Sequence, residues 1–187
     1  METKIGSTVI RLIQGDITKE ETDVIVNAAN TSLRGGGGVD GAIHNAGGPE
    51  ILQECIQKYP EGCKTGEARI TTAGFMKATY VIHTPGPIWR GGYQNEESLL
   101  KHCYRNSLLL AAEYEVKSIA FPSISTGVYR FPIEQASKIA LSTVIENLPL
   151  TSIIEVHFVL FSSSDYKIYE KNLQFIIEEE KSRLKSC

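Results

Sequence analysis

The sequence predicts an α/β fold: a largely parallel sheet covered by helices on both faces. Three observations point there. Short apolar runs that read as strands alternate along the chain with longer segments at helical spacing. Most of these runs end in a polar or glycine-rich stretch, as the strands of open α/β sheets do where they meet a ligand. The composition, 42% hydrophobic and 22% charged over 187 residues, is that of one globular domain able to bury about 70% of its unfolded surface.

The elements follow in order. Thr8 to Gln14 (TVIRLIQ) alternates like a half-buried strand, and Gly15-Asp16 breaks it. Asp23 to Ala28 (DVIVNA) is a short apolar run, read as a buried strand. Four consecutive glycines come next; from Val39 a short helix is expected to pack through Val39, Ala42, Ile43 and Ala46. Pro49 suits the first turn of a second helix, reaching Tyr59. Glu67 to Ala73 and Ala78 to His83 read as strands. Asn95 is expected to cap a helix ending near Tyr114, with Glu96 and Glu97 in its favourable first turn. Ser118 to Pro122 is a strand, Ile133 to Asn147 a helix, Ile154 to Phe161 a strand, and Asp165 to about Arg183 a closing helix. No repeat or linker divides the chain.

Several function classes are excluded early. A net charge of −3 argues against a general nucleic-acid binder, so any phosphate recognised here belongs to a small ligand. Cys55, Cys63, Cys103 and Cys187 form no CxxC pair, so neither a zinc site nor a redox motif is expected, and reduced thiols in the cytoplasm are. The N-terminus has no apolar signal region and no run approaches 18 apolar residues, so neither secretion nor membrane insertion is expected. A monomer is expected.

The strand-end rule selects five stretches: GDIT (15–18), NAAN with the glycine run (27–38), TPGP (84–87), SISTGVY (123–129) and FSSSD (161–165). Glycines in series let successive backbone N–H groups point one way. Beside Gly37 and Gly38, the helix expected from Val39 onward presents an N-terminus that adds partial positive charge. A second loop, Ser125-Thr126-Gly127-Val128-Tyr129, leaves another strand end. Two facing loops of backbone donors suit a diphosphate and need no lysine. Placing the carboxylate of Asp40 beside such a nest opposes anion binding, so it is read either as a group with another task, such as orienting water, or as a first-turn carboxylate favoured by the helix dipole. His44, four residues on, shares its helix face. It is either a proton-relay partner or a polar flank residue.

Four motifs in this order, GDIT, VNAAN, GGGGVDGAIH and ISTGVY, resemble the macrodomain family, and its MacroD-type branch in particular. The resemblance spans about Thr8 to Leu173. It implies a three-layer α/β/α sandwich around a mixed, largely parallel sheet, and a pocket for ADP-ribose. It further implies hydrolysis of esters on the distal ribose, in O-acetyl-ADP-ribose or in ADP-ribose attached to acidic side chains of proteins. By resemblance Asp16, with the backbone of Ile17, reads the adenine amino group; a plain turn is the other use open to this Asp. Phe161 offers a ring to adenine, Asn27 holds its loop in shape, and Asn30 and Tyr129 fix the distal ribose. Asn30, Asp40 and His44 are the expected catalytic set. ADP-ribose, its esters and mono-ADP-ribosylated proteins are the expected partners, with no cofactor or metal. The alternative is a non-catalytic reader of ADP-ribose. The chain departs from the family pattern at Pro85, Asn45 and Gly47, and at Arg130, where glycine is common. Cys55 and His83 are read as interior residues rather than a nucleophile and a base.

Overall fold

A seven-stranded sheet carries the molecule in the order β1-β2-β7-β6-β3-β5-β4. The structure is a computed structural model describing residues 1–185; Cys187 lies outside them. The strands are β1 (Glu2–Ile5), β2 (Thr8–Gln14), β3 (Val24–Ala29), β4 (Arg69–Thr72), β5 (Tyr80–Pro85), β6 (Ser118–Phe121) and β7 (Glu155–Leu160). The helices are α1 (Gly38–Gly47), α2 (Pro49–Lys58), α3 (Glu96–Glu113), α4 (Ile133–Asn147) and α5 (Ser163–Lys185). The central neighbours β2-β7-β6-β3-β5 all pair in parallel. Only the edges, β1 on β2 and β4 on β5, run antiparallel. The sheet is therefore mixed and largely parallel, as expected. β1 was not anticipated: ETKI is a four-residue edge strand without a buried residue, so it carries little apolar signal.

Alternation along the strands builds two cores. Val24 and Val26, with Ile82, Ile119, Phe121, Val156 and Phe158, face α3, α4 and α5. Ile25 and Ala29, with Val81, Ala120 and Val159, face α1 and α2 through Ile43, Ile51 and Cys55. The result is three layers, the α/β/α sandwich expected from the sequence. Asn27 and His83 belong by the same two-residue period to the α1/α2 side, where they are direct cross-strand partners.

The expected cap of α3 is corrected. Asn95 sits in the left-handed region (φ 63°) and its side chain caps nothing. Glu96 takes over: fully buried, its carboxylate accepts from the backbone N–H of Arg90, Gly92 and Gln94 and ties down the loop before the helix. Burial opposes its charge, but these backbone donors outweigh that and hold the carboxyl below its usual range.

Candidate functional site

Because β2, β7, β6, β3 and β5 are parallel neighbours, the five polar stretches chosen from the sequence leave the same edge of the sheet side by side. The order along that edge is Asp16, Phe161, the Ser123 loop, the Asn30 and glycine loop, then Gly86. The sheet parts in the middle of this row. β3 pairs with β5 over six residues but with β6 only at Val24 and Ile25. Beyond Ile25 the two strands separate, and the glycine loop and the SISTGVY loop emerge on either side of the gap.

The glycine loop enters α1 at Gly37, in ordinary extended geometry, followed by Gly38 at φ +59°, a conformation that L side chains resist. A β-carbon on Gly37 meets nothing within 4 Å. Gly41 is the sterically demanding position: a β-carbon there comes within 2.6 Å of the Gly36 carbonyl oxygen, so only glycine lets α1 press against the loop.

The packed face of α1 also differs from the expectation. Ala42 is exposed and Val39 and Ala46 are half-buried, whereas Asp40, Ile43 and Gly47 are buried. Asp40, 5% exposed, turns inward because Asn27 on β3 donates from Nδ2 to its Oδ1 at 2.7 Å. His44 Nε2 lies 3.4 Å from the same oxygen. Oδ2 faces Gly36, beside the Asn30 amide: a β-carbon on Gly36 would stand 3.0 Å from Asp40 Oδ2 and 3.3 Å from Asn30 Nδ2. The structure thus brings Asn27, Asn30, Asp40 and His44 together. Asn30 is partly committed to its own loop, donating to Gly35 O (2.7 Å) and accepting from Ser32 N and Oγ. One N–H remains to it.

Two buried tyrosines that the sequence reading missed hold the second loop. Tyr104 on α3 donates to Pro122 O and accepts from Ile124 N. Tyr169 on α5 donates to Ser123 Oγ at 3.0 Å. Burial pushes Tyr104 well above its ordinary value and Tyr169 to about 12, so both remain donors. Helical apolar periodicity marks them as core; nothing local shows which strand end they reach. On this base Ser125 adopts φ 67° with its hydroxyl buried and unpartnered. Thr126 Oγ1 closes the turn onto Ser123 O, and Gly127 and Val128 are exposed, Val128 by 92%. Tyr129 O accepts from Trp89 N, joining this loop to the one after β5. A cleft of about 250 Å³ lies there, lined in part by Thr31, Thr65, Gly86, Arg90 and Tyr129.

At the other end of the row, Asp16 Oδ1 accepts from Thr18 N (2.9 Å) and Thr18 Oγ1 (2.8 Å) and caps the 3-10 turn Ile17–Lys19. The turn use of this Asp is therefore real, and the residue is exposed. Ile17 is buried. Phe161 is 85% exposed at the end of β7, so its ring lies open on the carboxyl edge of the sheet. Cys55 is fully buried, and burial lifts its thiol to about 11, the setting of an unreactive core cysteine.

A sheet split at its carboxyl edge, with two backbone-lined loops facing across the split, is the architecture of a nucleotide-type pocket in an α/β sandwich. Residues 26–140 match the model of the Macro domain. A Macro domain-containing protein of Caldanaerobacter subterraneus subsp. tengcongensis is 60% identical over 164 residues, covering 87% of this chain and 94% of its own. The Oceanobacillus iheyensis macrodomain, solved as a glycine-to-valine variant with ADPR, is 48% identical with a TM-score of 0.91, over 95% of this chain and 98% of that one. The Trypanosoma brucei macrodomain in complex with ADP-ribose is 42% identical with a TM-score of 0.81, over 88% of this chain and 68% of that one. The chain belongs to the macrodomain family.

Proposed function

We propose that this protein binds ADP-ribose and hydrolyses esters at its distal ribose, taking O-acetyl-ADP-ribose or ADP-ribose linked to acidic side chains of proteins. The order of loops along the sheet edge supports one orientation of the ligand. Adenine lies between Asp16 and the ring of Phe161, a stacking arrangement contributing about 1–3 kcal/mol. The diphosphate sits over the split, between the N–H groups of Gly37, Gly38 and Val39 and the loop from Ser125 to Val128. The distal ribose then reaches Asn30 and Tyr129. Relatives solved with ADP-ribose support the ligand class.

One observation carries the hydrolytic part: Asp40 is buried next to the anion nest, with Oδ1 fixed by Asn27 and Oδ2 left on the Gly36 side. A carboxylate there weakens binding of a diphosphate, so a binding site alone gains nothing from it. Oδ2 accepts a hydrogen bond from water and aims that water at the ester carbonyl, with the bound diphosphate on its other side. Attack breaks the acyl–oxygen bond, releasing a carboxylic acid and the free ribose hydroxyl.

The test is incubation with O-acetyl-ADP-ribose while ADP-ribose release is followed. Asp40→Ala is expected to lower turnover by at least about 10²-fold, the scale of a positioned acid–base group, with ADP-ribose affinity held or improved. Wild-type protein that binds ADP-ribose and releases nothing would instead be a reader.

A further inference from the structure

We propose that His83, which touches no ligand, is the positioning residue that sets the direction of the Asp40 carboxylate by fixing the amide of Asn27. This inference rests on the hydrolytic reading of Asp40 for its effect on turnover, though not for its geometry.

The chain of contacts runs from the pocket into the interior. Asn27 Nδ2 has two hydrogens. One goes to Asp40 Oδ1 at 2.7 Å, and the second can go only to His83 Nδ1, at 3.1 Å. Nδ1 therefore accepts and carries no proton. The remaining ring proton is on Nε2, which lies 2.8 Å from Thr71 Oγ1. The single hydroxyl hydrogen of Thr71 is donated to Thr72 O at 3.0 Å, leaving its oxygen free to accept from Nε2. Every donor along Asp40–Asn27–His83–Thr71 thus meets an acceptor, and only the neutral Nε2–H tautomer satisfies all of them.

The surroundings keep the ring in that form. His83 is fully buried, and burial foremost, with His44 at 6.1 Å between ring centroids adding to it, pushes the imidazole down to about 3. The ring stays an acceptor at Nδ1 throughout the physiological range. It also decides which way Asn27 faces. Turning that amide over would put its carbonyl against the Asp40 carboxylate and its nitrogen away from the ring, losing both bonds at once. Asn27 Oδ1 already has no partner in its buried place, a cost tolerated only if the two bonds from Nδ2 outweigh it. Cross-strand register makes the arrangement rigid: Asn27 and His83 stand directly opposite each other on β3 and β5.

Three variants test this. His83→Leu removes the acceptor, His83→Asn restores one near the place of Nδ1, and Thr71→Val keeps the ring but removes the nearer of the two groups beside Nε2, leaving Cys55 Sγ at 3.8 Å. Nitrogen-15 NMR of wild-type protein, between about pH 5 and 8, is expected to show His83 protonated at Nε2 and bare at Nδ1. In His83→Leu, kcat for O-acetyl-ADP-ribose is expected to fall about tenfold or more while KM and ADP-ribose affinity stay within about twofold, as loss of aim rather than of binding requires. His83→Asn recovers most of that kcat. A ring protonated at Nδ1, a leucine variant with wild-type kcat, or one whose affinity falls in step with kcat overturns the proposal. If His83→Leu does not fold, Thr71→Val decides by the same split. If wild-type protein turns over no ester, the hydrolytic reading fails by itself. The positioning of Asn27 then stands or falls on its side-chain amide hydrogens, resolved and slow to exchange in wild type and collapsed in His83→Leu.

Discussion

Arg130 takes a left-handed backbone conformation, φ 57°, in the turn that closes the second loop with its N–H on Gly127 O. Here the macrodomain pattern favours glycine, and the reason is now visible: an L residue in that conformation costs about 1–2 kcal/mol. Its side chain is exposed, so its packing offsets little of that strain. Arg130→Gly is expected to stabilise the protein by about 0.5–1 kcal/mol, the strain relieved less the extra freedom of glycine in the unfolded chain. Urea unfolding measures it, and an unchanged or lower stability would show that the guanidinium does more than meet solvent. Ser125, five residues earlier, carries the same kind of strain together with a buried, unpartnered hydroxyl. Strain of this sort collects where a loop must hold one shape for a ligand.

In most helices glycine to alanine is a gain of up to about 1 kcal/mol. In α1 the sign is expected to reverse at Gly41. The added carbon would lie 2.6 Å from the Gly36 carbonyl, a backbone atom with no rotamer to yield. Either α1 or the glycine loop must move, and both carry the site. Gly41→Ala should therefore lose about 1–3 kcal/mol of stability and weaken ADP-ribose binding in calorimetry, whereas Gly37→Ala, whose new carbon meets no protein atom within 4 Å, should leave stability unchanged. The same helix marks the limit of what its sequence discloses. Apolar periodicity placed its packed face on Ala42 and Ala46, because the count sees only apolar residues. The actual face includes Asp40, drawn in by an Asn 13 positions earlier on β3. Where signals were local, the reading held: β2 and α4 begin and end where their patterns do. The row of five strand ends followed from the parallel connections. The β3–β6 split did not, nor did the tyrosines beneath the second loop, since both depend on which distant elements become neighbours.

For the molecule as a whole, two buried histidines on opposite sides of the pH scale shape the stability curve. His157 on β7, 9% exposed, is packed among Glu20, which follows the Ile17–Lys19 turn, and Glu155 on its own strand; Arg11 on β2 pairs with Glu155 and with Glu2 of β1. Burial pulls its imidazolium down, but hydrogen bonds to Glu20 and Glu155 and their charges outweigh burial and raise it above 6.5. The folded state then holds a proton that the unfolded state has released, so this contribution is complete below about pH 6.5 and fades as pH rises through the folded value. His83 works in the other direction. Its folded value of about 3 means that the unfolded chain takes up a proton first, so stability drains away as pH falls from 6.5 toward 3. The buried thiols of Cys55, Cys63 and Cys103, raised to about 11, 12 and 11, add a further loss only above their ordinary value of 9.0. Between about pH 6.5 and 8.5 the alkaline decline therefore reflects His157 among these groups. Urea unfolding between about pH 5 and 8.5 should show a maximum near pH 6.5, and His157→Gln should flatten the alkaline side while leaving in place the decline from about pH 6.5 to 5, which belongs to His83. An alkaline slope that survives His157→Gln would mean that the Glu20–His157–Glu155 bridge does not hold its proton in the folded protein.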